Sequence, residues 1–242
     1  MIVNKDDSMI VKKWEKYKEY LENGLWHVHT NYTDGKNTVF EMCQKAQEKG
    51  FPAIIFAEHV RKTLNYNFDD FLSDIAKASD KLDIKVIPGC ETSIMDSQGN
   101  LDISEEVAKK SEVVFASFHR PVQNYADYLL SVVNMLKNPI VDVWAHPNII
   151  PKGLSSTGVM IPLEPGMTVE ELQTIMTLAA KNKILIENNI RYKTPKDFID
   201  IAKIQGVRVI TAYDAHRVGD LDNLDEYKGS YIPKNQFSSP LV

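Results

Sequence analysis

The chain has 242 residues, of which 43% are hydrophobic and 25% charged; its net charge is −5, and its two cysteines, Cys43 and Cys90, form no CxxC pair. These values suit one domain with a sizeable core and exclude a disordered chain or a small disulfide framework. The acidic balance argues against an extended nucleic acid as partner, and no run approaches the ~18 apolar residues of a membrane span.

The N-terminus lacks the continuous apolar core of a signal peptide, so a cytoplasmic location is expected. Residues 8–22 read as an amphipathic helix with Ile10, Trp14, Tyr17 and Leu21 on one stripe, and Gly24 follows. Residues 1–23 are therefore expected to form a helical extension of a single domain spanning 24–242. That helix would pack on the domain or on a partner subunit, which makes it a natural place for contact in a homo-oligomer.

An alternation follows. Short apolar runs rich in β-branched residues lie at 25–29, 53–57, 84–90, 112–118, 140–145, 183–187 and 207–213. Helical stretches separate most of them, at about 38–49, 68–82, 122–137, 168–181 and 195–205, while 91–103 reads as a hairpin before a brief helix near 104–110. Seven strands alternating with helices predict a parallel α/β sheet with right-handed crossovers, either open or closed into a (β/α)7 barrel. Residues 147–167 form a Pro/Gly/Ser-rich connection long enough to act as a lid, and the last 20 or so residues look irregular.

The polar residues decide for the barrel. All six histidines, His27, His29, His59, His119, His146 and His216, fall at or just past a strand end. Asp34, Glu91 and Asp214 occupy matching positions. In a parallel barrel those ends converge on one face, where such folds build their active sites. A lone histidine is more often a satisfied core or surface residue; six at strand ends are not. Within His27-Val28-His29 the strand period sends both imidazoles to one face and Val28 to the wall. Asp214-Ala215-His216 repeats the geometry. A mixed imidazole and carboxylate shell suits Zn²⁺, Mn²⁺ or Fe²⁺. Nine ligands suffice for two or three ions, with Glu91 placed to bridge.

His27-Val28-His29-Thr30 followed by Thr33-Asp34-Gly35, then Glu58-His59, Gly89-Cys90-Glu91, Ser117-Phe118-His119, Ala145-His146-Pro147 and Asp214-Ala215-His216, resemble the successive motifs of the PHP (polymerase and histidinol phosphatase) family. The resemblance implies a distorted, TIM-like (β/α)7 barrel with up to three metal ions. It implies that His27, His29, Glu91 and Asp214 hold one ion, that Glu91 bridges to a second held with His119 and His146, and that Asp34, His59 and His216 hold a third. Two departures stand out: the residue before the second-strand histidine is often Asp in the family and here is Glu58, and the N-terminal helix precedes the usual start.

The expected activity is hydrolysis of a small phosphomonoester, such as histidinol phosphate or a nucleotide, by a hydroxide shared between ions, with Glu91, Asp214 and His216 at its centre. The arginines support a phosphate. Of five, Arg61, Arg120, Arg191 and Arg217 lie just past strand ends on the expected metal face, where guanidinium groups suit phosphate oxygens. The resemblance favours Arg191 and Arg217 as the clamp. Glu187 and Asn189 alternate toward the mouth as supporting or substrate-contacting residues, and Tyr32, Tyr66, Tyr192 and Phe118 are candidates for the pocket wall. The competing readings are a phosphodiesterase or exonuclease, a protein tyrosine phosphatase, and an amidohydrolase. The last expects eight strands and no histidine two residues after the closing aspartate, and so fits less well. A fold that has lost catalysis would be expected to lack ligands, and all nine positions carry one.

Overall fold

The computed structural model describes residues 11–155, 160–163, 166–222 and 224. In chain order the elements are β1 (Leu25–Val28), α1 (Val39–Glu48), β2 (Ala53–Phe56), β3 (Glu58–Val60), α2 (Phe68–Lys81), β4 (Lys85–Ile87), β5 (Gly89–Ser93), α3 (Glu105–Lys110), β6 (Val113–Ser117), α4 (Tyr125–Leu136), β7 (Val143–Trp144), β8 (Gly153–Leu154), β9 (Met160–Ile161), α5 (Val169–Lys181), β10 (Leu185–Asn189), α6 (Lys196–Ile204) and β11 (Val209–Ala215). The helices start where their caps dictate. Thr38 opens α1 by accepting the Glu41 amide at 3.2 Å while Glu41 accepts the Thr38 amide at 2.8 Å, and Thr168 with Glu171 repeats this capping box at α5.

The large sheet is wholly parallel and runs β3-β5-β6-β7-β10-β11-β1-β2-β4. Its two apparent edges are joined covalently. Only Ala57 separates β2 from β3, and only Pro88 separates β4 from β5. The lower segments β2 and β4 pair with each other, as do the upper segments β3 and β5. The nine segments are thus seven strands, two of them broken, closed into a distorted barrel. Pro88 has no N–H for the ladder, which explains one break. Gly89 explains why the strands can cross so closely there: a Cβ on it would lie 2.2 Å from the Phe56 carbonyl oxygen.

Alternation divides the apolar residues into two cores. Trp26, Ala53, Ile55, Ala57, Ile87, Val113, Phe115, Val143, Leu185, Ile210 and Ala212 fill the barrel. Leu25, Val28, Ile54, Phe56, Val114 and Ile186 face outward and meet the helices, such as the Phe68, Phe71, Ile75 and Ala78 face of α2.

The N-terminal segment departs from the expected amphipathic α-helix over 8–22. The helical residues are Lys13–Tyr20, wound as a 3-10 helix with a break at Tyr17, and Ile10 lies outside the described residues. The tighter three-residue repeat aligns Trp14, Tyr17 and Tyr20 along one edge. That edge lies against the inner core. Side-chain to main-chain bonds strap it to the barrel floor. Trp14 Nε1 donates to Lys183 O at 2.8 Å, Trp26 Nε1 donates to Tyr20 O at 2.8 Å, and the buried Lys12 Nζ donates to Val141 O at 2.6 Å. The Pro/Gly/Ser-rich 147–167 connection carries the antiparallel pair β8–β9, and Gly153 bridges to Val122. Most of the C-terminal stretch expected to be irregular lies outside the described residues.

Candidate active site

Each of the nine expected ligands stands at the upper end of the barrel. His27 and Asp214 belong to β1 and β11, His59 to β3 and Glu91 to β5, while His29, His119, His146 and His216 lie one or two residues past β1, β6, β7 and β11. At His27 the β1 register shifts against both neighbours, a bulge with φ of 66°. The extra residue lets Trp26 and His27, adjacent in sequence, both enter the barrel: Trp26 fills the inner core, and the His27 ring centroid lies 5.2 Å from that of Phe115.

Three groups of ligand atoms result, each within 4.8 Å: His27, His29 and Asp214; His59, Glu91 and His119; His29, Asp34, His59 and His216. Glu91 connects them. Its Oε2 is 3.6 Å from His27 Nε2, 3.8 Å from His29 Nε2 and 3.1 Å from His59 Nδ1. Its Oε1 is 2.9 Å from His146 Nε2 and 3.5 Å from His119 Nε2. Asp34 Oδ2 lies 3.4 Å from His59 Nε2 and 3.2 Å from His216 Nε2. Burial falls from floor to rim: His27, His29, Glu91 and Asp214 are buried, His59 and His216 are half-buried, and Asp34 is exposed.

Within the cluster the carboxylates and imidazoles shift one another. Burial disfavours charge on Glu91, but His27 and His119 outweigh it and hold the acid well below its ordinary value. Burial also opposes charge on His59, yet Asp34 and Glu91 carry it up to about 10. Burial pulls His29 down to about 4, with His27 and His59 adding repulsion. Among the described residues the Nδ1 of His29 is buried without a hydrogen-bond partner, and its Nε2 lies 3.0 Å from His27 Nε2. An orphaned buried nitrogen costs free energy, and two ring nitrogens so close satisfy each other only if one alone is protonated. Both features, and the mixed imidazole and carboxylate donors, fit divalent cations.

Behind these side chains stands Glu187, in β10. Its Oε1 accepts from His27 Nδ1 at 2.5 Å, and its Oε2 accepts the His146 amide at 2.7 Å and the Asn189 side chain at 3.0 Å. Glu187 thus braces His27 and His146 rather than reaching the mouth. Asn189 accepts the Tyr192 amide at 3.0 Å and fixes the turn after β10.

A cavity of about 600 Å³ opens beside Asp34, Asp214 and His216, and three cations line it: Lys36, Arg191 and Arg217. Lys36 escaped the sequence reading; its proximity to Asp34 is the only signal that marks it. Arg191 donates from Nη1 to Asp214 O at 3.0 Å and lies 2.8 Å from His216 Nδ1. Arg217 pairs with Asp220 at 2.8 Å, and Arg120 pairs with Asp102 at 3.2 Å. Arg61 lies exposed in the turn after β3. Of the aromatic candidates, Tyr192 lines the cavity and its ring centroid lies 5.2 Å from that of His146. Phe118 instead packs on Tyr128 in the outer core, because the strand period turns it away from His119. Tyr66 donates to His59 O at 3.1 Å, and Tyr32 donates to Asp74 at 2.9 Å, so both brace loops.

Residues 26–228 match the PHP domain family. A probable phosphatase of Thermoanaerobacter sp. (strain X514) is 27% identical over 208 residues, covering 83% of this chain and 81% of its own. The DNA polymerase/3'-5' exonuclease PolX of Bacillus subtilis (strain 168) is 26% identical over 212 residues, which are 83% of this chain but 35% of PolX. The histidinol phosphate phosphatase of Lactococcus lactis, solved with zinc, L-histidinol and phosphate, superposes with a TM-score of 0.60 at 16% identity, covering 85% of this chain and 92% of that one.

Proposed function

The chain belongs to the PHP domain family, and from that premise we propose that its converging side chains hold divalent ions and that it hydrolyses a small phosphomonoester. The observation that carries the reading is the position of Glu91, whose two oxygens face different histidines and so join a floor cluster to a rim cluster. His27, His29, Glu91 and Asp214 would hold one ion. Glu91, His119 and His146 would hold a second, and Asp34, His59 and His216 a third. Ions bound there would supply charge neutralisation at the phosphoryl group and a water acidified toward neutral pH.

The chain's own residues have distinct tasks in this reading. Glu187 keeps a proton on His27 Nδ1 and so directs Nε2 toward the ion, as outer carboxylates do for ligand histidines. Arg191 and Arg217, with Lys36, place the phosphate against the Asp34, Asp214 and His216 wall. Ile190 and Tyr192 flank the organic part of the ester. A cavity of about 600 Å³ suits a small ester. Similarity to a portion of PolX favours, as a second reading, cleavage of the terminal phosphodiester of a short oligonucleotide.

The test is phosphate release by Zn²⁺- or Mn²⁺-loaded protein from histidinol phosphate, mononucleotides, sugar phosphates, a phosphotyrosine peptide and a short oligonucleotide. Strong preference for one small monoester is expected. Turnover of the oligonucleotide alone would establish the second reading, and inactivity on all substrates with ions bound would refute both.

A further inference from the structure

Glu58 is completely buried, yet none of the candidate ligand clusters among the described residues contains it. It precedes His59 in β3, and alternation sends the two side chains to opposite sides. His59 faces Glu91. Glu58 faces the turn that follows β1, where its Oε2 accepts the Thr30 amide at 2.9 Å and the Thr30 hydroxyl at 2.5 Å, and its Oε1 is hydrogen-bonded to the Thr33 hydroxyl.

That turn carries Asp34 and has little slack. The Gly35 amide donates to Thr30 O at 2.9 Å, and a Cβ on Gly35 would lie 2.7 Å from the Thr30 backbone. On its far side the Lys36 amide donates to His216 O at 2.7 Å, and Asn37 Oδ1 accepts the Val218 amide at 3.1 Å. The turn is therefore held between β3 on one side and the end of β11 on the other. These two elements also supply His59 and His216, the imidazoles that Asp34 faces.

We propose that Glu58 is a positioning residue for the rim ion site, holding the Thr30–Gly35 turn so that Asp34 stands within ligand reach of His59 and His216. The inference rests on the reading of Asp34, His59 and His216 as an ion site. Neighbouring residues on one strand would thus set both sides of that site, His59 as ligand and Glu58 as the clamp of the opposing ligand's loop. Without the clamp, an exposed carboxylate on a surface turn must be ordered each time an ion binds, and the entropy cost lowers affinity. The reach matters: aspartate would fall short by one C–C bond, about 1.5 Å.

The test is a Zn²⁺ titration of the full chain against a competing chromophoric chelator, for wild type and for Glu58→Ala, Glu58→Asp and Glu58→Gln. Asp34→Asn marks which step of the isotherm belongs to the rim site. Glu58→Ala and Glu58→Asp are expected to weaken that step roughly 10–100-fold, the usual effect of losing an outer support, and to leave the tighter steps in place. Glu58→Gln, which keeps the length, accepts from Thr30 and can donate to Thr33, is expected to recover most of the affinity. A folded Glu58→Ala protein with a lower Tm but an unchanged rim step would make Glu58 merely structural and overturn the proposal. Where Glu58→Ala does not fold, Thr33→Val removes one bond of the clamp, and an unchanged rim step in that variant overturns the proposal equally. Wild-type protein that binds no Zn²⁺ would instead overturn the ion-site reading beneath it.

Discussion

His27, His146 and Asp214 share a backbone state that their chemistry does not announce: φ values of 66°, 30° and 51°. Such conformations cost about 1–3 kcal/mol each and persist where surrounding contacts impose them. Here Glu187 supplies two of those contacts, one to the His27 ring and one to the His146 amide. The histidines were legible in the sequence because imidazoles are scarce and all fell at strand ends. Glu187 was only half legible, since a carboxylate alternating with apolar strand residues reads alike whether it meets substrate or braces a ligand. Positive φ at non-glycine residues leaves no mark in a sequence at all. The cavity separates two kinds of residue by the losses they should cause. Arg217→Ala should raise KM for a phosphate ester about 10–100-fold, as expected for one charged hydrogen-bonding group, with ion content unchanged by elemental analysis. Glu91→Ala should abolish turnover and lower ion content, with the folded circular dichroism spectrum retained.

At the scale of elements, the strand and helix order was readable because the hydrophobic period switches cleanly between two and 3.6 along the chain. The two broken strands were less so. Pro88 is a visible interruption, whereas the break at Ala57 follows from pairing with β4 below and β5 above, a relation between distant residues. The N-terminal segment shows the limit of periodicity: Trp14 and Tyr17 satisfy a helical stripe, but contact with the barrel floor selects a 3-10 winding. Trp14 is buried at 3% exposure and bonded through its indole nitrogen. Trp14→Ala should therefore destabilise the protein by about 3–5 kcal/mol in urea unfolding, the range for loss of a buried large aromatic. Turnover of the protein that remains folded should be unaffected, because the strap lies at the end of the barrel opposite the ligands.

For the whole molecule, the cluster of imidazoles and carboxylates makes stability depend on pH. Histidines whose folded pKa is raised stabilise the native state fully below the unfolded value near 6.5 and lose that contribution as pH climbs through the folded value. Burial opposes the charge in each case, but for His59 the carboxylates Asp34 and Glu91 set the upper end at about 10, and His27, His146 and His216 are shifted upward as well by the carboxylates they face. Protein stripped of metal should thus lose Tm between pH 6.5 and 10. Ions displace those same protons, so the gap between loaded and stripped protein should widen over that interval. A gap that stays constant with pH would show that ions do not bind through these imidazoles.

The filled floor also governs traffic. Trp14, Leu21 and Trp26 pack the lower end of the barrel, so whatever reaches the ligand face arrives and departs by the same side. In the proposed reaction the leaving alcohol, uncharged at its new hydroxyl, would be held by few groups, while inorganic phosphate would stay against the Lys36, Arg191 and Arg217 that line the cavity. Phosphate should therefore be the last to leave and should stand in the way of the next ester, which makes it a competitive inhibitor whose grip weakens as salt screens the three cations.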